Sequence, residues 1–76
     1  MPKIKALRAK QIVNALLKGG FYVHHQAGSH VQLRHRQKVH LRVTVPRHDK
    51  FDLPVFVVKN ILKQAELTEM EFLKLV

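Results

Sequence analysis

The chain has 76 residues, no cysteine, 46% apolar residues and a formal net charge of +9. This length suits one small domain over residues 1–76, and the lack of cysteine excludes disulfides and thiolate zinc sites. The apolar runs are too short to cross a bilayer and the first residues lack the apolar stretch of a signal peptide, so a cytoplasmic protein without membrane association is expected.

The first predicted element is an amphipathic helix from about Ala6 to Lys18. Apolar residues recur along it at helical spacing, at Ala9, Ile12, Val13, Leu16 and Leu17. Gly19-Gly20 follows and can adopt the left-handed conformation that commonly ends a helix. These features predict an N-terminal helix that packs through one face.

Three strands are predicted next, with side chains that alternate between two faces. They run from Phe21 to Gln26, from His30 to His35 and from Val39 to Val45. Short turns at Ala27-Gly28-Ser29 and at Arg36-Gln37 join them. Pro46 should end the third strand because proline cannot donate to a hydrogen-bond ladder.

Regular alternation would collect polar side chains on one face of the sheet. These side chains are Tyr22, His24, Gln26, His30, Gln32, Arg34, His40, Arg42 and Thr44. His25 would point to the opposite face. All six histidines and ten of the 14 Lys/Arg residues precede the first acid, Asp49. A surface rich in cations and free of acids favours a polyanionic partner, RNA or DNA.

Two helices are predicted after the sheet. The first begins near Asp52-Leu53-Pro54, with Asp52 as its cap, and buries Val58, Ile61, Leu62 and Ala65. Thr68 and Glu71 form the capping box of a short last helix, which should pack Phe72, Leu73 and Val76 on the core. The order of elements predicts an α+β fold, a three-stranded antiparallel sheet with helices packed on its apolar face. Phe51 and Phe56 are expected in the core, or alternatively in a patch that contacts a protein partner.

The triplet Gly28-Ser29-His30 combines a flexible corner with an imidazole. RNA carries its own nucleophile, the 2′-hydroxyl, so cleavage requires proton transfer, which an imidazole can perform near neutral pH. Gly28 allows a phosphate to approach the backbone, and Ser29 offers it a hydroxyl and an amide. The plainer interpretation is a turn of small residues followed by an exposed strand histidine.

Several blocks of the chain, in order, resemble the HicA-type toxins of bacterial type II toxin–antitoxin systems. After the basic helix, the blocks are Lys18-Gly19-Gly20-Phe21, Gln26-Ala27-Gly28-Ser29-His30, Val43-Thr44-Val45-Pro46 with His48, and Ile61-Leu62-Lys63-Gln64-Ala65-Glu66-Leu67-Thr68. The resemblance implies a double-stranded-RNA-binding-domain-like fold, ribosome-independent RNA cleavage and neutralisation by a HicB-type antitoxin. It also implies that His30 is the catalytic histidine.

The sequence therefore predicts an mRNA-cleaving toxin in which His30 transfers protons without a metal or other cofactor. Zinc sites usually draw on carboxylates that orient their ligands, and none precedes Asp49. The predicted RNA contacts are Gly28, Ser29, His24, Arg34 and Arg42. Arg34 and Arg42 would hold the scissile phosphate, and His24 would assist proton transfer, stack on a base or simply be solvated.

Two alternatives belong to other functional classes. A non-catalytic RNA-binding module would use the same charge and fold without needing His30. A DNA-binding regulator would act through a recognition helix, although the sequence contains no helix-turn-helix pair.

Overall fold

A computed structural model describes residues 3–48 and 50–76 of the chain. Its elements are α1 (Ala9–Lys18), β1 (Phe21–Ala27), β2 (His30–His35), β3 (Arg42–Pro46), α2 (Val55–Ala65) and α3 (Glu69–Leu73). The strands form an antiparallel sheet in the order β1-β2-β3. The predicted α+β fold is confirmed and is consistent with a double-stranded-RNA-binding-domain-like architecture. No helix within the described ranges is long and apolar enough to cross a membrane.

The hydrophobic core lies between the helices and one face of the sheet. The helices contribute Ala9, Ile12, Val13, Ala15, Leu16, Val58, Ile61, Leu62, Ala65 and Phe72, and the strands contribute Phe21, Val31, Leu33, Val43 and Val45. Phe21 and Phe72 are the largest of the fully buried side chains. Burying one large aliphatic or aromatic side chain contributes roughly 1.5–3 kcal/mol, so this cluster supplies most of the driving force for folding.

Four apolar side chains lie outside this core, contrary to prediction. Leu17, Phe51, Phe56 and Val76 are 43%, 69%, 68% and 51% exposed. Phe56 is two residues from the buried Val58, which places it roughly 200° around the helix at about 3.6 residues per turn. Phe51 precedes α2 in a loop, and Val76 follows α3. The assignment of Phe51 and Phe56 to the core is therefore wrong, and a patch that contacts the antitoxin stays a prediction for them.

The third strand begins at Arg42, three residues later than predicted. The preceding loop folds around the half-buried His35, whose Nδ1 accepts hydrogen bonds from the backbone N–H groups of Gln37 and Lys38 at 3.1 and 3.0 Å. Its Nε2 lies 3.1 Å from the carbonyl oxygen of Gly19, which assigns the Nε2–H tautomer. Since these bonds hold the backbone in a loop, Val39 is exposed instead of pairing in the sheet.

The start of α2 also differs from the prediction. Pro54 is the N-cap residue, and among the described residues no side-chain cap bond is made there, so the assignment of Asp52 as cap is wrong. Asp52 Oδ1 instead lies 3.0 Å from Arg8 Nε, with both side chains about half exposed. An exposed ion pair of this kind contributes about 0–1 kcal/mol. The adjacent Leu7 and Leu53 exchange two backbone hydrogen bonds of 3.3 and 2.7 Å, which tie this loop to the start of α1.

The predicted capping box of the last helix is confirmed. Thr68 Oγ1 accepts a hydrogen bond from the Glu71 backbone N–H at 3.1 Å, and Glu71 Oε1 accepts one from the Thr68 N–H at 2.9 Å. The pKa of the Glu71 carboxyl is lowered below the ordinary value of 4.5. The larger cause is the hydrogen bond from the Thr68 backbone, and the second is the hydrogen bond with the Thr68 side chain. The ionised carboxylate therefore stabilises the beginning of α3.

We expect this contribution to disappear in acid. A carboxyl group whose pKa is lower in the folded state stabilises the protein above its unfolded pKa, and the stabilisation is lost as the pH falls through the folded pKa. The effect should therefore appear below about pH 4.5, the ordinary pKa of Glu71. When thermal unfolding is measured at decreasing pH, the Tm of Glu71→Gln should fall less than that of the wild type. The reason is that glutamine accepts the hydrogen bond from the Thr68 N–H without titrating. Equal losses would contradict this role.

Candidate functional site

The face of the sheet that the helices leave uncovered, here called the open face, is organised in three rows. Residues paired across antiparallel strands place their side chains on the same face, so the register defines each row. The rows are Tyr22, Arg34 and Arg42; His25, Gln32 and Thr44; and Ala27, His30 and Pro46. None of these residues is acidic, in agreement with the predicted cationic surface.

A bulge in β1 changes which histidine joins this face. The pairs on its two sides are Val23 with Leu33 and His25 with Gln32. His24 is the extra residue and has no partner in this register. The bulge reverses the alternation that follows, so His25 lies on the open face and Gln26 pairs with Val31 on the covered face. The predictions that His25 points away from His30 and that Gln26 shares its face are wrong.

Gly28 and Ser29 form a two-residue turn between the paired Ala27 and His30. Gly28 has a φ of +57°, and a Cβ built on it meets no described atom within 4 Å. Glycine with positive φ at the first central position is typical of a type II′ hairpin turn. The predicted turn is confirmed, and its backbone is open to a ligand.

His30 is exposed at the first position of β2. Its neighbours in the row are Ala27, with a single methyl group, and Pro46. These small apolar neighbours leave the imidazole accessible from the side of the open face. The backbone N–H of Arg47 donates to the carbonyl oxygen of Ser29, which holds the end of β3 against the turn.

A second imidazole lies near His30. His25 precedes Ala27, the partner of His30, by two residues on β1. Such diagonal neighbours have Cα atoms about 7–8 Å apart, within reach of aromatic side chains. His25 is therefore a candidate for the second proton-transfer group, one of the three roles that the sequence left open for His24. Only the bulge brings it there.

Arg34 and Arg42 pair directly across β2 and β3. With Gln32 and Thr44 they line a shallow depression of about 240 Å³. Within residues 3–48 and 50–76, neither guanidinium makes an ion pair. Arg34 is four residues from His30 on β2, which corresponds to roughly 13 Å at about 3.3 Å per residue. The structure thus brings the two arginines together but at the opposite end of the open face from His30.

Arg47 connects the His30 end of the sheet with a second group of cations. Arg8, Lys10, Gln11 and Arg47 line a cavity of about 450 Å³, in which Arg8 is held by Asp52. Arg47 reaches this cavity from the end of β3, directly after Pro46. The sequence distinguished Arg47 only as one of the ten cations that precede Asp49. The signal that would have located it is its position opposite Ser29, which depends on the register of β3.

The carboxylates that the structure describes lie away from the open face. Asp52 contacts Arg8, and Glu66 Oε2 lies 3.3 Å from His40 Nε2. His40 belongs to the loop before β3 and not to the face on which it was predicted. Glu69 and Glu71 belong to α3. In the part of the chain described, no group of three His, Asp or Glu side chains is placed to hold a metal ion, and a site without cofactor stays a prediction.

A family model described as the HicA toxin of bacterial toxin-antitoxin matches residues 9–67. No curated protein matches the chain. The matched range begins at the start of α1 and ends just before the capping box of α3. It includes the whole open face and the turn at Gly28-Ser29-His30.

Proposed function

Because the chain belongs to the HicA toxin family, and so acts as a toxin with an antitoxin partner, we propose that it is an endoribonuclease that cleaves mRNA. In this proposal His30 transfers protons, and no metal or other cofactor takes part. One observation carries the proposal. His30 is an exposed imidazole behind an open glycine turn, at one end of a face that bears arginines and no acid.

The reaction begins with attack of a ribose 2′-hydroxyl on the adjacent phosphorus. His30 accepts the hydroxyl proton as the new P–O bond forms, and the bond to the 5′-oxygen of the next nucleotide breaks. The leaving oxygen takes a proton from water or from His25, which the bulge places diagonally opposite. The products are a 2′,3′-cyclic phosphate and a 5′-hydroxyl end.

The turn supplies the remaining contacts to the scissile group. Gly28 lets a non-bridging phosphate oxygen approach the backbone, since it has no Cβ and open space around it. The Ser29 hydroxyl can donate to the same phosphate. Donors placed where negative charge develops stabilise the transition state more than the ground state. His24, exposed at the bulge, is proposed to contact a neighbouring nucleotide.

We expect cleavage to persist in excess EDTA and to give cyclic-phosphate ends. The substrate is an RNA whose cleaved bond has first been mapped with the wild-type protein. Replacing the nucleotide on the 5′ side of that bond by its 2′-deoxy form should abolish cleavage, because the nucleophile is removed. The same substitution one nucleotide away is the matched control and should be cleaved normally.

Mass spectrometry of the products tests this mechanism. A requirement for a divalent metal together with 5′-phosphate ends would overturn it. Intact RNA after prolonged incubation, with binding retained, would instead favour the non-catalytic RNA-binding module.

The antitoxin is proposed to be of the HicB type. Its task is to keep RNA away from an exposed cationic face, which it can do by covering the open face or by burying His30. An acidic partner surface would complement the net charge of +9.

A further inference from the structure

The pairing of Arg34 with Arg42 is an unfavourable arrangement for the free protein. Like charges directly opposite each other in a sheet destabilise it. Among the described residues no carboxylate lies at ion-pair distance from either side chain, although Arg8 has such a partner in Asp52. A bound anion would relieve this repulsion. The pair therefore has the character of a binding site that reduces stability in the absence of its ligand.

The arginine pair lies at a distance from the phosphate that reacts at His30. Side chains stand roughly perpendicular to a sheet and lean along the strand, so the tips keep the separation of roughly 13 Å along β2 unless they lean toward each other. The nitrogen of a general base must lie within about 3 Å of the oxygen whose proton it accepts. One phosphate group would contact both places only if the arginines leaned along β2 toward His30. The prediction that Arg34 and Arg42 hold the scissile phosphate requires such a lean, whereas a phosphate directly over the pair does not.

We propose that Arg34 and Arg42 form a separate phosphate subsite, which binds a backbone phosphate of the same RNA strand some nucleotides away from the cleaved bond. The inference rests on the proposed function for its ligand. The strand would run along β2, from His30 to Arg34. Its sugars and bases would pass over the middle row of the open face, which contains His25, Gln32 and Thr44.

The chemistry of the depression suits a phosphate. A guanidinium presents its N–H groups in a planar fork that matches two phosphate oxygens, and two such groups neutralise the charge. The amide of Gln32 and the hydroxyl of Thr44 line the same depression and can complete the contacts. The depression, of about 240 Å³, is shallow and open to an RNA strand that runs along β2.

Arg42→Gln is the variant that tests the subsite, and Lys59→Gln is its control. Lys59 lies on α2, on the other side of the sheet, and loses the same charge. Binding is measured by fluorescence anisotropy with an all-2′-O-methyl oligonucleotide, which cannot be cleaved. Arg42→Gln should weaken binding about tenfold and reduce the slope of log Kd against log salt by about 0.7, the value for one lost contact to a single strand. Lys59→Gln should change both much less.

The two arginines should also reveal themselves without RNA. Arg42→Gln should raise the Tm of the free protein because it removes the like-charge pair, while Lys59→Gln should not. A lower Tm together with unchanged binding would identify Arg42 as a structural residue and overturn the subsite.

A scan of the substrate locates the phosphate. The mapped oligonucleotide carries one uncharged methylphosphonate at a time, at each linkage on both sides of the cleaved bond. At a single linkage other than the cleaved one, the substitution should raise KM of the wild type about tenfold with kcat nearly unchanged. In Arg42→Gln, the same substitution should cause no further increase in KM. If Arg42→Gln instead couples only to the cleaved linkage and lowers kcat, the arginines hold the scissile phosphate and the inference is wrong.

Failure of the nuclease proposal has a different signature. If the wild type binds but does not cleave, the same scan is read by Kd in place of KM. If the effect of one methylphosphonate on Kd disappears in Arg42→Gln, the subsite is supported although the proposed cleavage fails. Additive effects at every linkage would overturn the subsite in either case.

Discussion

Replacing His30 by alanine is expected to lower kcat for RNA cleavage by roughly 10²–10⁴-fold, the usual contribution of a general acid or base. The affinity for RNA should change little, because the neighbouring turn and the arginines of the open face remain. His30→Ala should also fold normally, since the side chain is exposed and its row neighbours are Ala27 and Pro46. Toxicity to growing cells should disappear with the activity.

Single-turnover cleavage and binding to uncleavable RNA separate these effects. His40→Ala serves as the control, because it removes an exposed histidine of the loop before β3 and should leave kcat unchanged. His25→Ala is expected to give an intermediate loss if the diagonal imidazole protonates the leaving group. Full activity in His30→Ala would exclude the catalytic assignment, and a loss that appears only in Kd would make His30 a binding residue.

Replacing His35 by alanine is expected to give the largest loss of stability among the histidine variants. Its ring makes hydrogen bonds to Gly19, Gln37 and Lys38, each contributing about 0.5–1.5 kcal/mol. It also meets Phe21 edge-to-face at 4.8 Å between ring centroids, a contact worth about 0.5–1.5 kcal/mol. Water can replace part of the bonding to the exposed loop. The free energy of unfolding should therefore fall by roughly 2–3 kcal/mol.

Thermal or urea unfolding measures this loss, which corresponds to a fall in Tm of roughly 10 °C or more for a protein of this size. His35→Phe keeps an aromatic ring but not the hydrogen bonds, so its free energy of unfolding should lie between those of the wild type and His35→Ala. His40→Ala, at an exposed position, should stay within about 0.5 kcal/mol of the wild type. If His35→Ala unfolds at the same temperature as His40→Ala, the bonds around His35 contribute nothing.

Gly20 offers an independent check on the packing of His35. A Cβ at this position would lie 2.8 Å from His35 Nε2, and its φ of +97° disfavours any other residue. The turn between α1 and β1 therefore closes tightly over the imidazole. The sequence identified Gly19-Gly20 as a helix stop but gave no reason to connect it with His35, which follows it by 15 residues.

The histidines show how far a sequence pattern reaches. His30 follows a turn of small residues, and short-range turn chemistry was enough to place it at the start of a strand. His24 and His25 are adjacent, and regular alternation assigned them to opposite faces. A bulge depends on how β1 pairs with β2, and a strand read alone carries no signal of it. The face of His25 was therefore predicted wrongly, and its proximity to His30 was missed.

The arginines show the same limit. Their presence on the polar face followed from alternation in two strands, and the structure agrees. Whether Arg34 and Arg42 face each other, and how far both lie from His30, depends on the register between β2 and β3. A shift of the register by two residues would keep every side chain on its face and still change every neighbour.

Local patterns were sufficient for the elements whose signals lie within a few residues. The helical stripe of α1 and α2, the glycine turn before His30, the stop at Pro46 and the capping box at Thr68 all depend on neighbours in the chain, and composition alone established the acid-free cationic block. Only the tertiary structure decided the bulge in β1, the late start of β3 around His35 and the exposure of Phe51 and Phe56. These features arise from hydrogen bonds and packing between residues distant in sequence, which no local propensity encodes.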